Sequence, residues 1–373
     1  MQENPVNKKT TNQPLRVGII GASLNRGWAK ESHVPAIQKL AGIELAAVTA
    51  RDQKAANAVA KAFGAKRGFG DSAAMILDPE IDLVVIAVRV PSHRELVLQA
   101  LAAGKHIYCE YPLGRNIIED EEMREAAHRA GVHVAIGLQA RLNPALRRAQ
   151  KLLAENAIGR VLTAHIHSGT IAFGRKTNEA ALYLEDSANG ATHMTIHVGH
   201  ALDAAIALLG GFADVAVLTS IQYAEIEVDN EERKERRTIA DYVLTQSNLQ
   251  KGGAFSAEVA GGKAQGATFR FEVVGESGTL TLDGAAPRGF QSGRLTLLLN
   301  GKPQTIDEGE LAELPDPAFN VGAVYAALRD DIISGSATVP DFDHAVQVAR
   351  MIADVSLAAK KGNRMEANRW LIK

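Results

Sequence analysis

Apolar positions in the first 140 residues fall into two kinds of block. Short β-branched runs at Leu15 to Ile20, Ile43 to Val48, Leu83 to Val88, His106 to Glu110 and His133 to Leu138 have strand length. Between them lie segments with helical spacing: about Ala29 to Leu40, a stretch ending at Phe63, Ser72 to Leu77, one ending near Gly104, and Glu119 to Ala130. Leu83 to Val88 is apolar at every position, as a strand covered on both faces must be. Asp71 stands where it can cap the short helix after it, and Ser92 with Glu95 has the capping-box spacing. Strand and helix in regular alternation predict a doubly wound parallel sheet.

Past Gln139 the pattern changes. Asn143 then Pro144 marks a helix start, cap followed by first-turn proline. Strands then dominate, at Val161–His167, Val215–Tyr223, Ile239–Leu249, Ala254–Val259, Thr268–Val274, Thr279–Leu282 and Leu295–Leu299. Turns separate most of them, which predicts a largely antiparallel open sheet. A helix from about Thr192 to Leu209 interrupts the series, and two more close the chain near Val321–Ser334 and Asp343–Lys360. Glu225 to Arg237 is dense in mixed charge and reads as a solvated hairpin tip or loop. The expected organisation is a loose tail (1–14), a Rossmann-type α/β domain (15–140) and an α+β domain (141–373).

Composition narrows the function classes. The chain has 373 residues, 46% hydrophobic and 23% charged, ordinary for a globular protein with a substantial core. A net charge of -2 without a basic block disfavours nucleic-acid and membrane-surface partners. The single Cys109 rules out an internal disulfide and fits a reducing compartment. The polar stretch 1–14 lacks the apolar core of a signal peptide, and no apolar run reaches membrane-spanning length. A cytoplasmic location is expected.

Four constellations carry candidate chemistry. First, β-branched Leu15–Ile20 runs into Gly21, Ser23, Leu24, Asn25, Arg26, Gly27 and Trp28, then into a helix. Such a turn leaves backbone N–H groups free at a helix start, which suits a pyrophosphate. Second, the next strand ends in Thr49-Ala50-Arg51, where an acid would hold a ribose 2′-hydroxyl. A hydroxyl and a guanidinium suit a 2′-phosphate, so NADP(H) is expected over NAD(H). Third, Glu110 and Tyr111 follow a strand, where ligands of doubly wound sheets lie. Fourth, His193, His197, His200 and Asp203 are spaced by four, three and three, one helical face. On a helix the outer histidines would be about 10 Å apart along the axis, too far to share one ion, so no metal is expected. Core histidines with satisfied ring nitrogens are one reading of this face; proton transfer to a substrate hydroxyl is the other.

Together these blocks resemble the Gfo/Idh/MocA dehydrogenases. The resemblance runs through Val17–Gly27, Val90-Pro91-Ser92-His93, Gly104-Lys105-His106, Glu110-Tyr111-Pro112-Leu113, Gly199-His200-Ala201-Leu202-Asp203 and Gly275–Leu280. It implies a Rossmann domain followed by an open-faced sheet domain, NAD(P) binding, action on sugars, inositols or polyols, and a homodimer or tetramer formed through the open sheet. It places Pro91, His93 and Glu110 along the cofactor, and Arg141 near the substrate with Asp203. Gly27-Trp28, His33-Val34-Pro35-Ala36-Ile37 and Gly137-Leu138-Gln139 are similar to a branch containing the yeast galactose-pathway repressor. Two departures from the enzyme pattern stand out. Tyr111 occupies the place of the family's catalytic lysine, and Ile196 that of an aspartate four residues before His200. Tyr111 can still donate a proton, although a free phenol titrates near about 10. His197 or His193 could stand in for the missing groups beside His200.

Two functions follow. One is an NADP(H)-dependent oxidoreductase acting on a sugar, polyol or related carbonyl compound, with glycoside cleavage through transient oxidation as a variant. The other is a dinucleotide-bound regulator with little turnover, acting through a protein partner, for which Glu225–Arg237 is a candidate surface.

Overall fold

The computed structural model describes residues 13–25, 27–228, 233–263 and 268–367. They pack as two compact units. One runs to Gln139 and takes in Gly309–Val346; the other comprises Ala140–Glu308 and the chain from Gln347. Residues 309–346 thus group with the first unit, not with the second domain in which the sequence pattern put them.

The first unit is built on a six-stranded parallel sheet: β1 (Leu15–Ile20), β2 (Ile43–Thr49), β3 (Arg67–Phe69), β4 (Leu83–Ile86), β5 (His106–Cys109) and β6 (Val134–Ile136), in the order β3-β2-β1-β4-β5-β6. Every residue of β4 is fully buried, which makes this strand the hydrophobic centre. At roughly 1.5–3 kcal/mol for each large aliphatic side chain buried, its four residues anchor the sheet. The helices are α1 (Val34–Lys39), α2 (Gln53–Phe63), α3 (Ser72–Leu77), α4 (His93–Ala102) and α5 (Ile117–Ala130). Asp71 caps α3 by accepting from Ala73 and Ala74, and Asn116 caps α5. The capping box at Ser92 does not form. Ser92 is itself in helical conformation and makes no side-chain cap bond, because a 3-10 turn, Val90–Ser92, leads straight into α4. The expected helix from Ala29 is also split, a π turn over Ala29–His33 preceding α1. The long helix α8 (Asp316–Ser334) packs against that π turn and α1.

The second unit carries a nine-stranded mixed sheet. Helix α6 (Pro144–Ala154) begins at the Asn143 cap, and α7 (Gly199–Leu209) follows a second π turn, Met194–Val198. The strands are β7 (Val161–Gly169), β9 (Asp214–Ser220), β12 (Tyr242–Asn248), β13 (Ala254–Ala260), β14 (Phe269–Gly275), β15 (Thr279–Gly284), β16 (Thr296–Leu299), β17 (Lys302–Pro303) and β18 (Met365–Glu366). Their order is β17-β16-β15-β14-β7-β13-β12-β9-β18, and only β7 with β13 is parallel. Side chains alternate: Ala164, Ile166, Phe255, Val259, Phe271 and Val273 point into the core, while His165, His167, Glu258, Arg270 and Glu272 line an open polar face. The charged segment forms β10 (Glu225–Val228) and β11 (Arg233–Arg236), a hairpin that joins β8 (Lys176–Thr177) in a small separate sheet. The last helix among the described residues is α9 (Phe342–Lys361).

Candidate functional site

In the first unit β1 ends in a turn that only glycine can make. Gly21 has φ +102°, and a Cβ there would lie 2.4 Å from the Ala87 carbonyl oxygen. The backbone N–H groups of Ser23, Leu24 and Asn25 have no acceptor among the described residues, and Leu24 and Asn25 are exposed. Lys30 folds back to donate to the Leu24 carbonyl at 2.6 Å. Gly27, at φ +115°, turns the chain into the π turn. Arg26 lies outside the described residues. Trp28 is half-buried, and its indole N–H has no acceptor among the described residues. This row of free donors fits the pyrophosphate of a dinucleotide.

The end of β2 bears on which dinucleotide. Asp52 is committed to the protein itself: it caps α2 by accepting from Ala55 at 2.7 Å, and its other oxygen pairs with Arg51 Nε at 3.1 Å. The Ala55 N–H and then Arg51 hold its carboxyl below the usual range. Arg51 stands 89% exposed, and with Nε on Asp52 the two outer nitrogens of its guanidinium face solvent, where they can meet an anion.

Beyond β5 the structure assembles a group that the sequence pattern did not isolate. Glu110 Oε1 accepts from His33 Nε2 at 2.9 Å, and His33 Nδ1 meets the Tyr325 hydroxyl at 2.8 Å. Tyr108 packs edge-on against both rings. His33 comes from the end of the π turn and Tyr325 from α8, 292 residues apart in sequence. His33 stood in the sequence only as part of a family-like block, and nothing local pairs it with Tyr325. Tyr111 follows Glu110 and forms a cis peptide bond with Pro112.

Pro91 is exposed on the 3-10 turn after β4. His93, expected along the cofactor, is instead 1% exposed. Its ring nitrogens face the carbonyls of Pro112 at 3.0 Å, Leu113 at 3.1 Å and Val88 at 3.0 Å, with Cys109 Sγ at 3.4 Å. Burial lowers its pKa. His93 fastens the Tyr111–Leu113 loop to the end of β4, so any effect on a ligand passes through that loop.

The second unit holds the histidine face. His193 and His197 are buried, stacked at 5.4 Å between ring centroids, with Phe173 edge-on to both. His193 Nε2 donates to the Val259 carbonyl at 3.2 Å. Burial pushes His193 down to about 4, and burial with the neighbouring His193 and His200 pushes His197 well below the usual range. Their Nδ1 atoms are closed to solvent and have no partner among the described residues. Burial among Phe173 and each other fits core packing better than the assisting roles expected of His193 and His197, and the His200 Nδ1 is closed off in the same way. A π turn, Met194–Val198, contains His197 and replaces the regular helix assumed for this stretch. His200 is buried at the start of α7. Asp203 is 1% exposed and accepts from Arg141 Nη1 at 2.9 Å. It is therefore a support that orients Arg141 and not itself a substrate ligand. Arg141 remains half-buried.

Arg237, expected at the end of a solvated charged segment, is instead a buried hub. It pairs with Glu185 at 2.7 and 2.8 Å, with Asp241 at 2.9 Å, and with the carbonyls of Phe173 at 2.7 Å and Gly174 at 3.1 Å. It thereby holds Phe173 in the left-handed region at φ +59°, an arrangement that costs about 1–3 kcal/mol in a bulky residue. Among the described residues no group of three or more His, Cys, Asp or Glu could hold a metal ion, and no helix is long and apolar enough to cross a membrane.

The profile of the oxidoreductase family with the NAD-binding Rossmann fold, Gfo/Idh/MocA, matches residues 15–138, and that of the Gal80p C-terminal domain matches residues 144–284. The chain belongs to the Gfo/Idh/MocA oxidoreductase family. Residues 15–138 are the family's NAD-binding Rossmann domain, and the free-donor turn after β1 lies within them. The dehydrogenase aclE of Aspergillus oryzae is 31% identical over 218 residues, 56% of this chain and 58% of that protein. The galactose/lactose metabolism regulatory protein GAL80 of Saccharomyces cerevisiae is 28% identical over 345 residues, 83% of this chain and 76% of that protein. In fold, levoglucosan dehydrogenase in complex with NADH and L-sorbose superposes with a TM-score of 0.79 at 23% identity, covering 95% of this chain and 99% of that one. Members of the family thus include both sugar dehydrogenases and a regulator.

Proposed function

We propose that the protein is an NADP(H)-dependent oxidoreductase acting on a sugar, polyol or related carbonyl compound. The observation that carries this reading is in the first unit: a row of free N–H donors for the pyrophosphate shares the sheet's C-terminal edge with a carboxylate, Glu110, held in place by His33. A nicotinamide bound there would supply or accept a hydride. The chain's own groups orient the dinucleotide and move the substrate's hydroxyl proton. NADP(H) is favoured over NAD(H) because Asp52 is spent on its helix cap while Arg51 is exposed to meet a 2′-phosphate. Tyr111 would hydrogen-bond the substrate hydroxyl; Arg141, oriented by Asp203, is the second unit's own candidate for binding a polar ligand. A homodimer or tetramer through the open polar face of the nine-stranded sheet belongs to the same reading.

The second reading is a dinucleotide-bound regulator. Tyr111 in the lysine position and Ile196 in the aspartate position favour it, as does the length of the match to GAL80. One experiment separates the two: fluorescence titration with NADPH and NADH, then a panel of sugars, polyols and carbonyl compounds read at the nicotinamide absorbance. Binding with hydride transfer on any substrate supports the enzyme; tight binding with no transfer across the panel in either direction supports the regulator.

A further inference from the structure

We propose that Glu110 accepts the proton of the substrate hydroxyl, with His33 and Tyr325 as the residues that position it; this rests on the oxidoreductase reading. A chain with Tyr111 in place of the family lysine needs another group for that proton, and three features of Glu110 suit it.

The first is place. The Glu110 N–H bonds to the Ile86 carbonyl at 3.1 Å, carrying the β4–β5 pairing one residue past the strand. The side chain therefore starts at the C-terminal edge of the sheet, where a doubly wound sheet binds its ligand. It keeps 17% exposure.

The second is orientation. Tyr325 is fully buried, and burial raises its hydroxyl well above the usual range, so it remains a donor. With Tyr325 as the donor to His33 Nδ1, the ring proton lies on Nε2, aimed at Glu110 Oε1. With both nitrogens engaged the imidazole cannot turn, and Oε1 is occupied.

The third is room. Oε2 accepts no hydrogen bond among the described residues. It faces Gly137, where a Cβ would come within 3.1 Å of it. The bare glycine keeps a side chain away from this oxygen and from the Tyr111 N–H, which that Cβ would approach to 3.0 Å.

In the oxidative direction the substrate's carbinol C–H bond breaks, and the hydride passes to an oxidised nicotinamide dinucleotide. The O–H bond breaks with it. Its proton goes to Glu110 Oε2, and the O–H electron pair becomes the second bond of the carbonyl. Glu110 then loses the proton to solvent, and reduction runs the same sequence backwards.

The test compares wild type with Glu110→Gln, Gly137→Ala and Tyr325→Phe by three measurements: NADPH affinity by fluorescence, turnover on the best substrate of the panel, and 15N spectra of the His33 ring without dinucleotide. Glu110→Gln is expected to lower kcat by at least about 100-fold with NADPH affinity within about threefold. Gly137→Ala, which crowds Oε2 and leaves the carboxylate in place, should lower kcat more than it raises KM. In the spectra His33 should be protonated on Nε2 alone, and Tyr325→Phe should weaken that preference while Glu110 still holds Nε2–H. An active wild type with Glu110→Gln turning over equally fast overturns this assignment and leaves the oxidoreductase reading standing. So does a His33 ring with its proton on Nδ1. A wild type that binds NADPH and transfers no hydride overturns both. If Glu110→Gln fails to fold, an unchanged kcat in Gly137→Ala refutes the assignment by itself.

Discussion

Asp120 is predicted to make the protein less stable as pH rises from about 4 to about 7. It lies in the first turn of α5 with 4% of its surface exposed, and its Oδ1 has no partner among the described residues. The Gly114 N–H partly satisfies it, and the charges of Glu119 and Glu121 oppose its ionisation. Burial dominates and pushes the carboxyl from 3.8 up to about 7. A raised acid pKa means that the fold favours the protonated form. Its stabilising contribution is complete below the unfolded value of about 3.9 and is lost as pH rises to about 7. At about 1.4 kcal/mol per tenfold change, the whole loss is of order 4 kcal/mol. The α5 N-terminus favours the anion by roughly 0.3–1 kcal/mol, which brings the figure to about 3 kcal/mol. Asp120→Asn removes the ionisation while keeping the shape. Urea unfolding of wild type and Asp120→Asn, followed by Trp28 fluorescence in the first unit, should give curves within about 1 kcal/mol of each other at pH 4.5. At pH 8 Asp120→Asn should be the more stable by about 3 kcal/mol. A difference between the two proteins that does not change from pH 4.5 to pH 8 would refute the reasoning.

Other outcomes follow from single features. Arg51→Ala should weaken NADPH binding by about 10- to 100-fold and leave NADH nearly unchanged, as measured by paired fluorescence titrations, since it removes a charge-assisted hydrogen bond to the 2′-phosphate. Arg237→Met leaves Glu185 and Asp241 as uncompensated buried or half-buried carboxylates, and should cost about 3–5 kcal/mol in chemical denaturation. His193→Ala with His197→Ala should lower the melting temperature, because the cavity beside Phe173 is left empty, while the pH profile of kcat keeps its shape. A shift in that profile would return those histidines to the proton-transfer path.

The elements themselves were legible because their cause is local. The all-apolar run of β4 and the alternation in the later strands each record which faces are buried, and burial is a property of neighbours in sequence. Asp71 and Asn143 were legible as caps for the same reason. The site was legible only where one element supplies it, as in the Gly21 turn and at Glu110. It was not where partners meet from distant segments. Asp52 reads as a stray acid until its bond to Ala55 is seen, and that bond is what removes it from competition with Arg51 for the ribose. Arg237 reads as one more surface charge until Glu185 and Asp241 close around it.

The two π turns show a further limit. Counting by fours and threes put His193, His197 and His200 on one face, but one extra residue in a turn rotates everything before it relative to everything after it. The same device at Ala29–His33 has the opposite consequence, for it delivers His33 to Glu110. An irregular turn thus interrupts the helix on which periodicity set the histidines, and another brings together a His33–Glu110 pair that periodicity could not show. The weight of the enzymatic reading accordingly moves from the histidines of the second unit to a carboxylate in the first. If Glu110 does the work of the absent lysine, Tyr111 is no longer a lost catalyst, and the departure that most favoured a silent regulator ceases to count for it.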